Sequence, residues 1–361
     1  MLKNELDEHL DYEYGDTPLS LNTRNGFLEK PVKSSSGENE LDIPRDRDGS
    51  FEPKVLKKCQ NDISNIENQI ISMYAKGMTT RDISSHIHEI YGFGLSEGMV
   101  SKITNKILPT IEEWQNRPLE RVYPVVFLDA IHYNVRENAL IIKKAVYIAL
   151  GYNKEGFKEI LGMWVGENES SKYWLMVLNQ LKERGLEDIL IVSTDNLPGF
   201  TQAIEAVYPK AEIQKCIIHQ IRSSTRYVSY KDIKELMQDL KTVYKAPTEE
   251  IALSNLDEFE EKWQKKYPIC VSSWRNNWAE LSTYFKYPQE MRTLIYTTNS
   301  MENFNRQLRK VTKSKAIFPN DFSLTKSLYL AMVDASQKWT YRIKNWDLIR
   351  SQLSIFFEGR I

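Results

Sequence analysis

The chain has 361 residues, of which 41% are hydrophobic and 27% charged, a balance that excludes wholesale disorder, collagen and continuous coiled coil. At about 150 residues per domain, it has the length for two to three domains. No apolar run approaches the ~18 residues of a membrane helix, and the first eleven residues are acidic where a signal peptide is basic and then apolar, so a cytoplasmic protein with no membrane partner is expected. Three cysteines, Cys59, Cys216 and Cys270, are too few for a disulfide framework and agree with a reducing compartment. The net charge of −1 hides an asymmetry: residues 1–50 hold 6 Lys/Arg against 12 Asp/Glu, and the remainder holds 42 against 37. A mildly basic body permits nucleic-acid binding without demanding it.

Residues 1–60 read as a polar arm or linker, partly disordered, with one short strand at 40–43. Helical spacing begins near Asp62: Ile66, Ile70, Ile71 and Tyr74, then Ile83, Ile87 and Ile90, then Val100, Ile103 and Ile107. Breaks fall at Gly77-Met78 and Gly92-Phe93. Thr79 with Asp82 forms a capping pair, and Ser96 stands ready to cap the third helix. Two helices joined by a glycine-bearing turn, behind a support helix, make a helix-turn-helix pattern over 61–120. Its last helix would offer Ser101, Lys102, Asn105 and Lys106 to DNA. A plain helical bundle fits the same spacing.

From residue 121 the grammar changes. An apolar run at 125–128 ends in Asp129, β-rich segments at 139–152 and 157–165 flank Asn153-Lys154-Glu155-Gly156, and a helix follows at 173–184. A buried strand at 189–192 ends near Asp195, a helix spans 198–207 and a short strand spans 213–216. Three strands, helix, strand, helix, strand is the order of an RNase H-like mixed-sheet α/β core. Between about 229 and 290 the strands stop, and a helical insertion rich in Trp263, Trp274, Trp278, Tyr284, Phe285 and Tyr287 intervenes. Those aromatics suit either internal packing or a contact surface. The catalytic domain, 121–361, resumes with a helix at about 300–311.

Asp129, Asp195 and Glu302 stand where such a fold would bring three carboxylates together. Singly, each has a plain reading: a strand-end turn, a cap for the helix near Pro198, and a capping box with Asn299. Together they repel unless cations sit among them. All-oxygen ligands favour Mg²⁺, with Mn²⁺ as a substitute. Two such ions about 4 Å apart suit in-line phosphoryl displacement.

Leu128-Asp129-Ala130, Thr194-Asp195-Asn196-Leu197-Pro198-Gly199-Phe200, the block from Gln214 through Cys216 and His219 to Arg222, and Tyr296-Thr297-Thr298-Asn299-Ser300-Met301-Glu302-Asn303-Phe304-Asn305-Arg306 resemble the signature blocks of Mutator-type bacterial insertion-sequence transposases. The stretches from Gly77 to Ile83 and from Trp114 to Leu119 resemble that family's helix-turn-helix and linker. The resemblance implies an RNase H-like nuclease with a DDE triad at Asp129, Asp195 and Glu302, interrupted by a helical insertion. It implies cutting of double-stranded DNA at terminal inverted repeats and joining of the 3′ ends to target DNA by at least a homodimer, in a nucleoid-associated setting. In that scheme Asp129 bridges the ions and Glu302 orients the nucleophile.

Cys216 and His219 match a family motif. Zinc needs four ligands, and the remaining histidines, His9, His86, His88 and His132, supply no second pair nearby. His219, with Cys216 beside it, is therefore expected next to the carboxylates or the scissile phosphate, with a satisfied core histidine as the plain alternative. Arg306, Arg309, Lys310, Lys313 and Lys315 oppose a single acidic residue over 301–315. Arg306, Arg309 and Lys310 share a helix face suited to a DNA backbone or simply to solvent. Family members generally carry more helical sequence upstream of the stretch that Met1–Leu6 resembles, so the chain is expected to begin late. Alternatives are a nuclease without strand transfer and a shortened, inactive or regulatory DNA-binding copy.

Overall fold

A computed structural model describes residues 2–12, 21–34, 37–52, 64–91, 94–296 and 299–361. Cys59, the Gly92-Phe93 break and Thr297-Thr298 lie outside them. The chain divides into two units, one of residues 1–112 with 308–316 and 322–334, the other of residues 113–307 with 317–321 and 335–361. The first unit thus holds both the expected arm and the expected helical domain, together with two stretches from near the C-terminus.

In the first unit, α1 (Leu2–Leu10) precedes an antiparallel hairpin of β1 (Arg24–Ser34) and β2 (Gly37–Asp46). The strand expected at 40–43 lies inside β2, so the polar segment carries more regular structure than its composition suggests. Part of the reason is Asp46, which is 1% exposed. Its carboxylate accepts from Asn22 Nδ2 (2.8 Å), Ser50 Oγ (2.7 Å) and the backbone N–H of Ser50 and Phe51. Burial alone would raise its pKa, yet these donors hold it far below the usual carboxylate range. The charge-dense stretch after Pro44 is an anchored turn.

Three helices follow: α2 (Ser64–Ala75), α3 (Thr80–Tyr91) and α4 (Glu97–Asn105). Thr79 and Asp82 bond each other's backbone N–H reciprocally (3.1 and 3.2 Å), and Ser96 Oγ accepts from Met99 N (3.1 Å), so both caps read from the sequence are present. Ile70, Ile83, Ile87, Val100 and Ile103 are fully buried in one cluster, whereas Ile90 is exposed. Gly77 makes the turn at φ +97°, where a Cβ would lie 2.4 Å from the Val311 carbonyl oxygen. Tyr74 is flanked by two lysines, with Lys315 Nζ 3.9 Å and Lys326 Nζ 5.5 Å from its ring centroid.

After α5 (Leu108–Asn116), the second unit is built on β3 (Val122–Glu137), β4 (Leu140–Tyr152), β5 (Lys158–Gly166), α6 (Ser171–Glu183), β6 (Asp188–Thr194), α7 (Phe200–Val207) and β7 (Glu212–Lys215). The sheet order is β5-β4-β3-β6-β7, with β5, β4 and β3 antiparallel and β3, β6 and β7 parallel. Element order and type agree with the sequence reading. One expectation is corrected: Asp129 does not end its strand, because β3 runs eight residues further, paired with β4 as far as Glu137↔Leu140. What ends near Asp129 is pairing with β6, whose last register pair is Phe127↔Ser193. Residues 123–128, with strands on both sides, form the continuous apolar run that marked the strand in the sequence. The β3–β4 turn is Asn138-Ala139, both at positive φ, a two-residue hairpin.

One face of the sheet packs on α6 and α7 through Trp174, Val177, Leu178, Leu181, Phe200 and Ile204. The helices α8 (Ile217–Thr225), α9 (Tyr230–Tyr244), α10 (Glu249–Trp263), α11 (Pro268–Asn276), α12 (Trp278–Leu281), α13 (Gln289–Tyr296) and α14 (Asn299–Thr312) then run without a strand, with a 3-10 turn at Thr283–Lys286. Trp263, Trp274, Tyr284, Phe285 and Tyr287 are buried, so these five aromatics are internal packing and not a contact surface. The insertion also covers the edge strand. Fully buried Gln214 of β7 donates to Leu281 O (2.9 Å) and accepts from Tyr284 N (2.8 Å), and Thr283 Oγ1 donates to Ile213 O (2.9 Å). The chain closes with α15 (Asp321–Ser336) and α16 (Trp346–Phe356).

Trp346 of α16 sits on the β4–β5 turn, donating to Lys154 O (2.9 Å) and facing Gly156 so closely that a Cβ there would lie 2.4 Å from its ring. Gly156 has φ +85°, as Gly359 has +71° with open space around it. Gly156→Ala is therefore expected to cost about 3–5 kcal/mol, strain plus overpacking, against about 1–2 kcal/mol for Gly359→Ala, strain alone. Denaturant unfolding of the two variants checks it, and equal costs would contradict the packing account.

Candidate active site

The two aspartates meet because of strand register. Phe127 and Ser193 are paired across β3 and β6, and Asp129 and Asp195 each follow by two residues, so the pleat sends both side chains toward the same face. Asp129 stays on β3, its Oδ1 accepting from Ala130 N (2.9 Å) and its Oδ2 from Asn305 Nδ2 of α14 (2.6 Å). Asp195 lies one residue past β6. Its Oδ1 is buried without a hydrogen-bond partner. Burial first, and the neighbouring Asp129 charge second, push its pKa up to about 6, against a smaller pull from His219.

His219 reaches this corner by a local device. Cys216 N donates to Thr194 O (2.7 Å), fixing the start of α8 beside the end of β6. The Cys216 Sγ then caps α8 by accepting from His219 N (3.4 Å). The Cys-x-x-His spacing is here an N-cap followed by the third residue of its helix. Among the described residues no three His, Cys, Asp or Glu side chains are arranged to hold a metal ion. Burial pushes the His219 pKa down, and the Asp195 carboxylate draws it back up. Its Nδ1 is buried and unpartnered.

Glu302 lies in the first turn of α14 and forms an ion pair with Arg222 of α8. Its charge acts on His219, while Asp129 acts on Asp195. The structure thus joins Asp129 to Asp195, Asp195 to His219, and His219 to Glu302 in a chain of neighbours. It does not gather the three carboxylates into one ligand group. The fit to a divalent cation is carried by the Asp129–Asp195 pair: an all-oxygen donor set, a buried oxygen without a partner, and mutual repulsion that a cation would relieve.

Three residues were given no role by the sequence reading. Asn305, 5% exposed, lies one turn beyond Glu302, and Arg222 lies one turn beyond His219; the i, i+3 spacing was available to find both. Glu169, between β5 and α6, has a buried, unpartnered Oε1 and a pKa pushed up to about 7 by burial, then by the Asp195 and Asp129 charges. No periodic signal marks it.

The expected DNA contacts fare unevenly. Lys102 is exposed and Ser101 half-buried. Lys106 instead pairs with buried Glu67 (2.5 Å), and the Asn105 side-chain oxygen accepts from Lys326 Nζ (2.6 Å). Arg306, Arg309 and Lys310 are all exposed on α14, and Arg306 donates to Asn303 Oδ1 (3.2 Å).

The model of the family described as "Transposase, Mutator family" matches residues 1–342. "Probable transposase for insertion sequence element ISRM3-like" of Sinorhizobium fredii (strain NBRC 101917 / NGR234) is 43% identical over all 361 residues, which span 90% of that protein. "Transposase for insertion sequence element ISRM3" of Rhizobium meliloti (strain 1021) is 42% identical over the same shares. Among solved structures, the Drosophila P element transposase strand transfer complex is similar over 76% of this chain and 80% of that one, at 13% identity and a TM-score of 0.30, an overlap too low to carry the fold. With a family match over nearly the whole chain and relatives above 40% identity along its full length, the chain belongs to the Mutator family of transposases.

Proposed function

We propose that this chain cuts double-stranded DNA at the terminal inverted repeats of an insertion sequence and joins the freed 3′ ends to target DNA. The proposal includes an RNase H-like core with Asp129, Asp195 and Glu302 as its DDE triad. The observation that carries it is the pairing of Asp129 with Asp195 where β3 and β6 part, in a chain of this family. The order β5-β4-β3-β6-β7, three antiparallel strands continued by two parallel ones, supports the RNase H-like reading.

Asp129 and Asp195 would hold Mg²⁺ or Mn²⁺, and the chemistry supplied there is activation of an attacking water or 3′-hydroxyl and stabilisation of the leaving oxygen. Asn305 fixes the Asp129 carboxylate by its bond to Oδ2. His219, its pKa lowered by burial, stands beside Asp195 as a hydrogen-bonding group for a phosphate oxygen. Arg222 holds Glu302 in place and is itself 60% exposed, so it is open to a DNA phosphate. The caps and core of α2–α4, with Lys102 outward, support a helix-turn-helix role for the first unit. Pairing of two element ends requires at least a dimer.

Incubating the protein with labelled inverted-repeat DNA and Mg²⁺ or Mn²⁺ tests this. Wild type is expected to give nicked and joined strands, Asp195→Asn to lose them by about 10³-fold or more, and His219→Ala by about 10–100-fold. Nicks without joined strands would leave a nuclease, and products undiminished in Asp195→Asn would sink the triad.

A second expectation follows from the raised Asp195 pKa. A carboxyl at about 6 in the folded chain and near 4 when unfolded binds more protons folded, so stability falls as pH rises through that window. In metal-free buffer at pH 7.5, Asp195→Asn is expected to raise the melting temperature by about 2–4 °C, and the gain should vanish near pH 4. Differential scanning calorimetry at the two pH values decides, and a gain equal at both would contradict it.

A further inference from the structure

We propose that the end of α8 and the turn into α9 form a track for an unpaired DNA strand beside the cutting site, with Arg226 and Lys231 on its phosphates and Tyr227 and Tyr230 stacked on its bases. This rests on the reading that DNA is cut at the Asp129–Asp195 corner. The first support is continuity. The start of α8 is bonded to the end of β6 through Cys216 N and Thr194 O (2.7 Å), one residue before Asp195. His219, Arg222 and Arg226 then follow at i, i+3 and i+7, which places them along one face of α8, and Arg226 at the C-cap keeps helical backbone angles. From His219 the stripe passes the Arg222–Glu302 ion pair and runs about 10 Å along the helix, the length of about three stacked nucleotides. Tyr227 and Tyr230 stand at its far end.

The second support is that the two rings are held out by a fixed backbone. Val228, between them, is buried. Ser224, also buried, donates to Gln220 O (2.7 Å) and accepts from Trp274 Nε1 (2.9 Å). Ser229 N donates to the Tyr267 hydroxyl (3.2 Å), which itself donates to Asp232 Oδ2 (2.5 Å). On this anchored turn Tyr227 is 58% and Tyr230 92% exposed, so neither ring belongs to the packing that fixes the turn. A ring face left in water adds little to folding, and it is the platform on which an unpaired base stacks.

The third is charge. From residue 213 to residue 231 the sequence holds Lys215, Arg222, Arg226 and Lys231 and no Asp or Glu. The acids that follow are taken up within the insertion, Asp232 by Lys266 (2.6 Å) and Glu235 by Lys262 (2.7 Å). Arg226 and Lys231 are exposed, so the surface around the two tyrosines is cationic. Cations interleaved with open aromatic faces match a polyanion whose bases are unpaired. A duplex would engage the cations alone, because its bases are stacked on one another.

Fluorescence anisotropy with the full chain in metal-free buffer tests the proposal on labelled single-stranded oligo-dT and on a duplex of the same length. The proteins are wild type, Tyr227→Ala with Tyr230→Ala, Tyr227→Phe with Tyr230→Phe and, as a control, Tyr341→Ala, whose side chain is 86% exposed elsewhere. The alanine pair is expected to bind oligo-dT about 30-fold or more weakly and the duplex within about threefold of wild type. The phenylalanine pair and Tyr341→Ala should stay within about threefold on both. Unchanged oligo-dT binding by the alanine pair, or an equal loss on oligo-dT and duplex, would overturn the track, and the function reading would stand where that variant still cuts inverted-repeat DNA. A phenylalanine pair as weak as the alanine pair would overturn stacking on the rings. Binding of neither DNA by wild type would overturn both readings. Oligo-dT carrying 5-iodouracil, photo-crosslinked to wild type, gives a second check: adducts on Tyr227 or Tyr230 support the track, and adducts on other residues alone overturn it.

Discussion

Two like charges held side by side govern this molecule. Parallel pairing of β3 with β6 ends at Phe127↔Ser193, and the pleat then delivers Asp129 and Asp195 to one place, where burial removes the water that would screen them. Repulsion of that kind is a cost to folding, and the structure keeps it by surrounding the pair with rigid elements. Asn305 grips Asp129 from α14, Cys216 pins the start of α8 to the end of β6, and the stack of Tyr147, Trp174 and Phe200 immobilises the loops on the far side. Strain stored at one point and offset by packing elsewhere is the pattern expected of a site kept for chemistry.

How much of this the sequence discloses depends on the range of the interaction concerned. Apolar runs and caps are local, so the five strands of the second unit, α2–α4 and the capping residues Thr79, Asp82 and Ser96 were legible. Extent was less so. Asp129 reads as a strand end because the apolar run stops at Leu128, but the run marks only the part of β3 with neighbours on both sides. Beyond it β3 continues against β4 alone, and half-exposed residues there carry no unbroken hydrophobic signal. The hairpin of β1 and β2 was legible only as a fragment, since its fixing point, Asp46, is a buried charge whose four donors cannot be inferred from composition.

The same distinction sorts the site residues. Asp129, Asp195 and Glu302 were read from their places at element ends and again from motif blocks, and His219 from a motif block, all of which record chemistry. Lys106 and Asn105 were chosen for their polar character at the end of a helix, and that criterion cannot separate a side chain facing a ligand from one facing Glu67 or Lys326. Glu169 lies in a loop with no period and no motif. Its neighbours Asn168 and Ser170 are gripped by Tyr147, a contact between β4 and the loop before α6 that exists after folding alone.

Most of the distance along the chain between Asp195 and Glu302, after α7 and β7, is spanned by the helices from α8 to α14, and the physical question is why so long an insertion leaves the site ordered. Loop-closure entropy rises only slowly with length, and the insertion supplies its own buried aromatics, so it is not closed as a flexible loop. Its attachment is also strict. Gln214 and Ile213 of the four-residue strand β7 bond to the segment 281–284, which closes the sheet edge, and Cys216 N on Thr194 O fixes one end of the helical block to β6. The other end is fixed by Asn305 on Asp129. With both ends tied to the sheet, α8 and α14 are held so that Arg222 meets Glu302. Glu302 is thus placed by the insertion's attachments, and the sheet alone, which orders Asp129 and Asp195, could not place it.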